Sequence, residues 1–241
     1  FHESRDYVDY TDDIYVGYRY FETIPGAAEK VVYPFGYGLS YTSFDVETVS
    51  AGVVNSNCTS ETNKLYAKVR VTNTGKFSGK EVVQVYIAKP QGKLGKPAKE
   101  LVAFEKTREL QPGESQLMIL TWEINDMASY DDLGKVKKSA YVLEAGSYDI
   151  YVGTSVRDVT KADYSYILNH DVITEQLSAK LVPTSLPKRM LADGSYEALP
   201  QSEPVDTDYS AIGNIDPSLT EGVAPCQRAI PYFRFADGMA K

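Results

Sequence analysis

Hydrophobic and polar residues alternate along residues 64–72, KLYAKVRVT. The apolar side of this stretch consists of Leu65, Ala67, Val69 and Val71. Because successive side chains of an extended chain point to opposite faces, a period of two predicts a β-strand with one buried face. This stretch is the clearest strand in the sequence.

Other strands are predicted where β-branched and aromatic residues cluster. These clusters are EVVQVYIA (residues 81–88), ELVAFEKT (100–107), QLMILTW (116–122) and SYDIYVG (147–153). The turn sequences that separate them supply Gly and Pro, and they are NTGKFSG, KPQGKLGKP, LQPGES and LEAGS. Several short strands at this spacing, with no helical period between them, favour an antiparallel β-sandwich.

Two further segments belong to the predicted sandwich. Residues 125–135, NDMASYDDLGK, are expected to form a turn or a short 3₁₀ segment between strands, with Met127 and Tyr130 as its packing residues. A last strand near DYSYILNHDV, residues 163–172, is expected to close the domain around residue 180.

The N-terminal residues predict a short helix. Within residues 1–24, four residues are spaced three or four positions apart, as on one face of a helix, and they are Ile14, Gly17, Tyr18 and Phe21. Thr11 is a candidate N-cap, and Pro25 with Gly26 marks the end of the helix.

The next loop, YPFGYGLSYTSF at residues 33–44, is rich in aromatic side chains. Aromatic rings bury a large area at a small cost in side-chain entropy, and Gly36 and Gly38 permit close backbone approach. Burial of one such ring contributes roughly 1.5–3 kcal/mol. We therefore predict that this loop is a plug between domains, covered by a partner in the intact protein.

Regular periodicity ends after Pro183. The residues beyond it are rich in Pro, Ser, Asp and Gly, and a structureless stretch of this length is unusual inside a compact domain. We predict a linker or an arm on a neighbouring surface, with its anchors at Met190, Leu191, Tyr196 and Leu199.

Composition and charge exclude several classes of partner. With 43% hydrophobic and 24% charged residues, the chain has the composition of an ordinary globular protein. Its net charge of −8 opposes binding to nucleic-acid phosphates and anionic lipid surfaces. No apolar run approaches the roughly 20 residues that span a bilayer. We therefore expect neither a nucleic-acid nor a membrane partner.

The two cysteines, Cys58 and Cys226, lie far apart and form no CxxC metal motif. Two plain thiols fit a reducing compartment, and the polar, acidic N-terminus is unlike a secretory signal, so we expect a cytoplasmic location. Because the first residue is Phe1, we expect a processed or excised piece of a longer protein.

Five motifs occur in order along residues from about 10 to 175. They are IYVGYRYFET, YPFGYGLSYTSF, GKEVVQVYIAKP, KELVAFEKTRELQPGES and YVLEAGSYDIYVGTS. Together they resemble the C-terminal part of glycoside hydrolase family 3 enzymes, typically β-glucosidases. The resemblance implies that residues 1–41 end an α/β sandwich domain and carry the aromatic interdomain loop. It further implies a fibronectin type III-like domain at residues 42–181.

The predicted fold class is therefore mainly β. It is an immunoglobulin or fibronectin type III-like antiparallel β-sandwich, with an N-terminal remnant of an α/β sandwich domain and a long irregular C-terminal arm. The stretch LPKRMLADGSYEALP and the residues after it resemble family members with reversed domain order. We therefore expect that residues 182–241 lead to a catalytic barrel and that the polypeptide continues beyond Lys241.

In the family, a (β/α)8-type barrel supplies a nucleophilic aspartate, and the α/β sandwich domain usually supplies an acid/base glutamate. The resemblance implies a parent enzyme that hydrolyses terminal β-D-glucosyl residues with retention, without an organic cofactor or a metal. Neither catalytic motif is matched here, since the only tryptophan, Trp122, comes directly after Thr121 on a predicted strand. The chain is therefore predicted to be a non-catalytic segment, inactive alone, whose partners are the catalytic domains.

Two alternatives stay open. In the first alternative, the chain is an independent carbohydrate-binding or adhesive fibronectin-type module, which predicts sugar affinity for residues 42–181 alone. In the second alternative, the chain is a subunit of a heteromeric enzyme whose other chain carries both carboxylates. A homo-oligomer is compatible with either reading.

No residue is predicted to be catalytic, cofactor-binding or metal-binding. Retaining hydrolysis needs two carboxyl groups about 5–5.5 Å apart. The acidic pairs Asp12–Asp13 and Asp131–Asp132 lie instead among turn residues, where solvated or capping roles are expected. His2 and His170 lack ligand spacing, so surface or packing roles are expected for both.

Three other features support only weaker functional interpretations. Asn57 begins an NCT glycosylation sequence, but without a secretion signal we do not expect modification. The 19 tyrosines are expected to pack in the core and between domains rather than to stack on sugars. The loop KPQGKLGKP, residues 89–97, is predicted to be basic and exposed, and it is a hypothetical contact to a neighbouring domain or subunit near a sugar pocket.

Overall fold

The computed structural model describes residues 10–54, 63–178 and 186–200. One α-helix, α1, spans Tyr18–Phe21, and 3₁₀ helices span Ala28–Lys30 and Asn125–Met127. The strands are β1 (Phe44–Val53), β2 (Lys64–Asn73), β3 (Val82–Ala88), β4 (Glu100–Lys106), β5 (Ser115–Glu123), β6 (Ser129–Asp131), β7 (Ala140–Leu143), β8 (Gly146–Gly153), β9 (Val159–Leu168), β10 (Val172–Gln176), β11 (Lys188–Met190) and β12 (Tyr196–Ala198). Within these residues, no helix has the length and hydrophobicity that a membrane crossing requires.

Two antiparallel sheets form a sandwich, as the sequence predicts. One sheet has the strand order β1-β2-β5, and the other has the order β4-β3-β8-β9. Their inner faces share one hydrophobic core, to which β2, β3, β5 and β8 contribute Leu65, Val85, Leu120 and Ile150. The alternation seen in residues 64–72 therefore marks the core face of β2.

The pairing of β3 with β4 contains a bulge. Val85 pairs with Ala103 and Tyr86 with Leu101, so Val102 has no counterpart on β3. A bulge of this kind bends the strand and re-aims its groups. Strand β4 is also an edge of its sheet, because β3 is the only strand paired with it among the described residues.

A third, smaller sheet has the strand order β10-β7-β6. The predicted last strand at residues 163–172 is divided in the structure, since its beginning belongs to β9 and its end begins β10. The predicted 3₁₀ segment is present at Asn125–Met127, with Met127 fully buried, but Ser129–Asp131 within the predicted turn form β6. Tyr130 packs its ring against Tyr141, with 5.3 Å between ring centroids.

The predicted N-terminal helix is shorter than expected and begins later. Thr11 lies in a turn, whereas the residue that precedes α1 is Gly17, with a φ of 56°. This φ is outside the helical range, so a helix cannot continue through Gly17 from an N-cap at Thr11.

The chain divides into two compact units. Among the described residues, the first contains residues 10–13, 177–178, 186–190 and 196–200. Its strands β11 and β12 pair antiparallel, so the predicted irregular arm contains a short hairpin. Within the same described residues, the second unit contains residues 14–54, 63–176 and 191–195. We call residues 14–41 the N-terminal segment.

Candidate interdomain surface

The N-terminal segment exposes a run of large apolar side chains, which we call the aromatic surface. Its members are Val32, Tyr33, Phe35, Tyr37, Leu39 and Tyr41. Leu39 is 88% exposed and Tyr41 is 96% exposed. Large exposed apolar side chains concentrated in one short segment favour an interaction site.

The backbone of the aromatic surface is fixed to the four-stranded sheet and its loops. The N–H of Val156 donates to the carbonyl of Phe35 at 3.0 Å. The Gln84 amide nitrogen donates to the carbonyls of Gly36 at 3.2 Å and Thr154 at 2.6 Å. The backbone of the aromatic surface is therefore anchored at Phe35 and Gly36.

Gly36 makes this close approach possible. Its φ of 84° lies in the left-handed region, and a Cβ added there would overlap the side chain of Gln84. An L side chain at this position is opposed both by backbone strain and by the contact with Gln84. The sequence prediction of close backbone approach is confirmed for Gly36 but not for Gly38, where an added Cβ would meet nothing within 4 Å.

Gln84 is itself oriented by Tyr86. The Tyr86 hydroxyl donates to Oε1 of Gln84 at 2.5 Å, which leaves the amide nitrogen of Gln84 to donate to the two carbonyls. Burial raises the pKa of Tyr86, so the phenol keeps its proton and remains a donor. This chain of hydrogen bonds runs from the sheet to Gly36.

Helix α1 packs between the aromatic surface and the sheet. The Tyr18 ring stacks on Phe35 with 4.4 Å between centroids and meets Tyr86 edge-on at 6.3 Å. Offset-stacked and edge-on pairs are the favoured aromatic geometries. The Tyr18 hydroxyl accepts a hydrogen bond from the N–H of Leu101 on β4. One side chain thus contacts the aromatic surface and both β3 and β4.

The rest of the N-terminal segment is held by polar contacts. Nε of Arg157 donates to Glu22 at 2.9 Å, and Nη2 of Arg157 donates to the carbonyl of Ala28 at 3.0 Å. The Thr23 hydroxyl accepts from the N–H of Ala98 at 2.8 Å. These contacts fasten the part of the segment that follows α1.

The loop KPQGKLGKP differs from the prediction that it is exposed and basic. Lys89 is buried and pairs with Glu100 at 2.5 Å, and buried Lys96 pairs with Glu144. Burial lowers the pKa of Lys89, although Glu100 favours its charged form. Of the three lysines only Lys93 is exposed, and its Nζ lies 3.5 Å from a carboxylate oxygen of Asp171.

Glu144 organises this loop from the inside. Its carboxylate accepts hydrogen bonds from the N–H of Lys93 at 2.6 Å and the N–H of Leu94 at 3.2 Å, besides its contact with Lys96. The oxygens of a buried carboxylate with these partners have their hydrogen-bond and charge partners within the fold. We therefore assign the Lys96–Glu144 pair to loop structure and not to a reaction.

The acidic pairs named in the sequence analysis belong to segments other than the one that forms the aromatic surface. Asp131 is buried and accepts backbone hydrogen bonds from Gly134, Lys135, Val136 and Lys137. It caps a turn, as expected. Asp12, Asp13, Asp132 and His170 are exposed.

Burial opposes ionisation of Asp131, but the four backbone donors together lower its pKa. His2, Asn57, Cys58 and Cys226 lie outside the described residues. Within the described ranges, no three His, Cys, Asp or Glu side chains group closely enough to hold a metal ion.

Sequence reasoning missed the anchors Tyr18, Gln84 and Tyr86. A signal for them was present in EVVQVYIA, because Gln84 and Tyr86 fall on the face opposite Val83 and Val85 in a nearly continuous apolar strand. A strand of this composition is typical of burial on both faces. The second face of β3 is covered by the N-terminal segment.

Comparison with known proteins gives a consistent family. Residues 81–156 match the fibronectin type III-like domain family. The β-glucosidase A of Butyrivibrio fibrisolvens is 62% identical over 220 residues, which are 88% of this chain and 26% of that protein. A β-glucosidase of Ruminococcus albus is 43% identical over 214 residues, which are 87% of this chain and 21% of that protein.

A solved structure agrees with these relatives. The β-glucosidase from Paenibacillus barengoltzii matches with a TM-score of 0.70 and 45% sequence identity, over 83% of this chain and 23% of that chain. The resemblance inferred from the five motifs is confirmed. The chain spans about a quarter of the length of the curated relatives described above.

Proposed function

Since the chain corresponds to the fibronectin type III-like segment of glycoside hydrolase family 3 β-glucosidases, we propose that it is a structural part of such an enzyme. The parent enzyme hydrolyses terminal β-D-glucosyl residues, and this segment holds its catalytic domains together without supplying a catalytic group. The aromatic surface, exposed on an anchored backbone, is the observation that supports this role.

The energetics favour a docking role for the aromatic surface. Each aromatic ring that becomes covered contributes roughly 1.5–3 kcal/mol by area. Because the backbone beneath Phe35 and Gly36 is already hydrogen-bonded, less conformational entropy is lost when a partner docks. A few covered rings therefore decide whether the domains stay together.

The chemistry belongs to the covering domains in this proposal. Retaining hydrolysis uses a nucleophilic carboxylate and an acid/base carboxyl group about 5–5.5 Å apart, and it passes through a covalent glycosyl-enzyme intermediate. Neither family motif for these groups is matched in the chain. The chain alone is therefore expected to be inactive.

We also propose that residues 182–241 lead toward the catalytic barrel. Residues 1–181 make up only three quarters of the chain, so a match over 88% of it includes part of the segment after residue 181. The similarity to β-glucosidase A thus extends beyond the predicted sandwich domain, which supports a segment that belongs to the same kind of enzyme.

The test uses hydrogen exchange of residues 32–41 in the 241-residue chain and in the full-length enzyme that contains it. We expect slow exchange only in the full-length enzyme, because covering the aromatic surface excludes water. Replacing Leu39 and Tyr41 with serine is expected to lower the melting temperature of the full-length enzyme and to leave that of the chain nearly unchanged.

The matched control replaces Leu117 and Ile119 with serine, since both are exposed on the outer face of the other sheet. This control is expected to change the melting temperatures of the enzyme and of the chain by similar amounts. Equal exchange of residues 32–41 in both proteins, or ordinary turnover of an aryl β-glucoside by the chain alone, would contradict the proposal.

A carbohydrate-binding module is the second candidate, and one observation favours it. The exposed rings of Tyr33 and Tyr37 stack with 5.2 Å between centroids, and paired tyrosines of this kind present an aromatic face to solvent. Titration of the chain with cello-oligosaccharides tests this candidate. Saturable binding that is lost in the Tyr33→Ala variant supports it, and absence of binding excludes it.

A further inference from the structure

Arg19 differs from the other arginines of the described residues. Four of the five form ion pairs with carboxylates, and these are Arg70, Arg108, Arg157 and Arg189. The guanidinium of Arg19 has neither a carboxylate partner nor a hydrogen-bond acceptor in the part of the chain that the structure describes. The contrast is notable because the chain carries a net charge of −8.

The surroundings of Arg19 favour a negatively charged partner for its guanidinium. Arg19 is partly buried and lies close enough to Lys89 to disfavour the charged form of that lysine. The two buried lysines of the neighbouring loop already use the carboxylates of Glu100 and Glu144. Arg19 therefore adds a cation that no described carboxylate balances, and a partly desolvated charge of this kind calls for a counterion.

The position of Arg19 links it to the aromatic surface. It comes directly after Tyr18 on α1, and Tyr18 stacks on Phe35 of that surface. A partner that covers Phe35 therefore approaches the helix that carries Arg19. A guanidinium presents a planar fork of donors that matches a carboxylate, so it is suited to an ion pair that becomes buried on docking.

We propose that Arg19 binds an aspartate or glutamate side chain of the catalytic domains that cover the aromatic surface. The proposal rests on the proposed function, and it adds the chemistry of the partner at one point. Apolar contact supplies most of the docking energy, whereas a single charge pair fixes the orientation in which the domains meet. Arg19 is thus a positioning residue for the domain interface.

The test compares Arg19→Met, Arg19→Lys and Arg70→Met in the full-length enzyme and in the 241-residue chain. Methionine keeps an unbranched apolar stem and removes the charge, while lysine keeps the charge and removes the fork. Arg70 is the control, because its partner Glu47 lies within the chain and both side chains are exposed. The readout is amide exchange of residues 32–41.

In the full-length enzyme, Arg19→Met is expected to speed this exchange about tenfold, because a charged hydrogen bond across the interface is lost. Arg19→Lys should give a smaller increase, and Arg70→Met should give none. In the 241-residue chain, exchange should be the same for all four proteins, since Arg19 has no partner among the described residues.

Two outcomes would overturn the assignment of Arg19 while leaving the proposed function intact. One is wild-type exchange in the Arg19→Met enzyme while residues 32–41 remain protected. The other is an equal increase in the chain alone, which would indicate a role inside this chain. If residues 32–41 are unprotected in the wild-type enzyme, both the proposed function and this inference fail.

Discussion

The hydroxyl group of Tyr18 accepts a hydrogen bond from the backbone N–H of Leu101 at 2.9 Å, although 83 residues separate the two in sequence. Leu101 belongs to the edge strand β4 and lies at its bulge. An edge strand leaves backbone groups without a neighbouring strand, and Tyr18 satisfies one of them. The N-terminal segment is thereby joined to the backbone of the sandwich.

Removing only this hydroxyl isolates the hydrogen bond. We expect Tyr18→Phe to lower the free energy of unfolding by about 1 kcal/mol, because the ring stack on Phe35 is kept and one hydrogen bond is lost. Tyr20→Phe is the control, since the Tyr20 hydroxyl makes no hydrogen bond in the described residues. Urea denaturation of the chain measures both, and equal midpoints would contradict the role of Tyr18.

A methyl group at Gly36 is expected to displace the loop from Gln84. Gly36→Ala should lower the free energy of unfolding by at least about 1 kcal/mol through left-handed strain, with a further loss from the contact with Gln84. Gly38→Ala should change it by less than about 0.5 kcal/mol, because an added Cβ meets nothing within 4 Å. Hydrogen exchange at Val156 reports whether the loop has moved, and similar behaviour of the two variants would argue against a fixed loop.

Removing the charge of Glu144 leaves Lys96 buried without its counterion. Breaking a buried ion pair in this way costs about 3–5 kcal/mol, so Glu144→Gln should be strongly destabilising. Glu47→Gln breaks the exposed pair with Arg70 and should cost about 0–1 kcal/mol. Thermal unfolding of the chain at constant salt distinguishes the two. A small effect of Glu144→Gln would mean that water reaches Lys96.

Asp131 is expected to make stability depend on acid pH. Its pKa is lowered in the folded state, so its stabilisation is present above the unfolded value of about 3.9 and is lost as the pH falls through the folded pKa. The Asp131→Asn variant should be less stable at neutral pH, and its stability should fall less between about pH 5 and pH 2.

The measurement is the free energy of unfolding as a function of pH. Asp45→Asn provides the control, since Asp45 is exposed on β1 and makes no side-chain hydrogen bond among the described residues. Parallel curves for wild type and Asp131→Asn would show that the four backbone donors do not favour the ionised carboxylate.

The strands of the sandwich were predictable because their periodicity is local. The alternation in residues 64–72 located β2 correctly, and the clusters of β-branched and aromatic residues correspond to β3, β4, β5 and β8. Strands β1, β6, β7, β11 and β12 were not predicted individually. A register shift between Thr48 and Ser50 interrupts the alternation of β1, and β7 has only four residues.

The polar interior was harder to predict because its partners are distant in sequence. The sequence predicted an exposed Lys96, because the acceptor that accompanies its burial, Glu144, lies 48 residues away. The same holds for Gln84 and Gly36, which are likewise 48 residues apart. Composition reveals the charge of such residues and not the partner that buries them. The exposed aromatic loop, in contrast, was evident from residues 33–44 alone, and the domain boundaries at residues 41 and 181 stay predictions.

Glu22 and Arg157 lie 135 residues apart in sequence. A ribosome that adds roughly 5 to 20 residues per second therefore completes Glu22 roughly 7 to 27 s before Arg157. Throughout that interval, the aromatic residues after Glu22 lack Val156 and Arg157, which hold their segment in the folded protein. The N-terminal segment is thus synthesised before the sandwich residues that hold it in place.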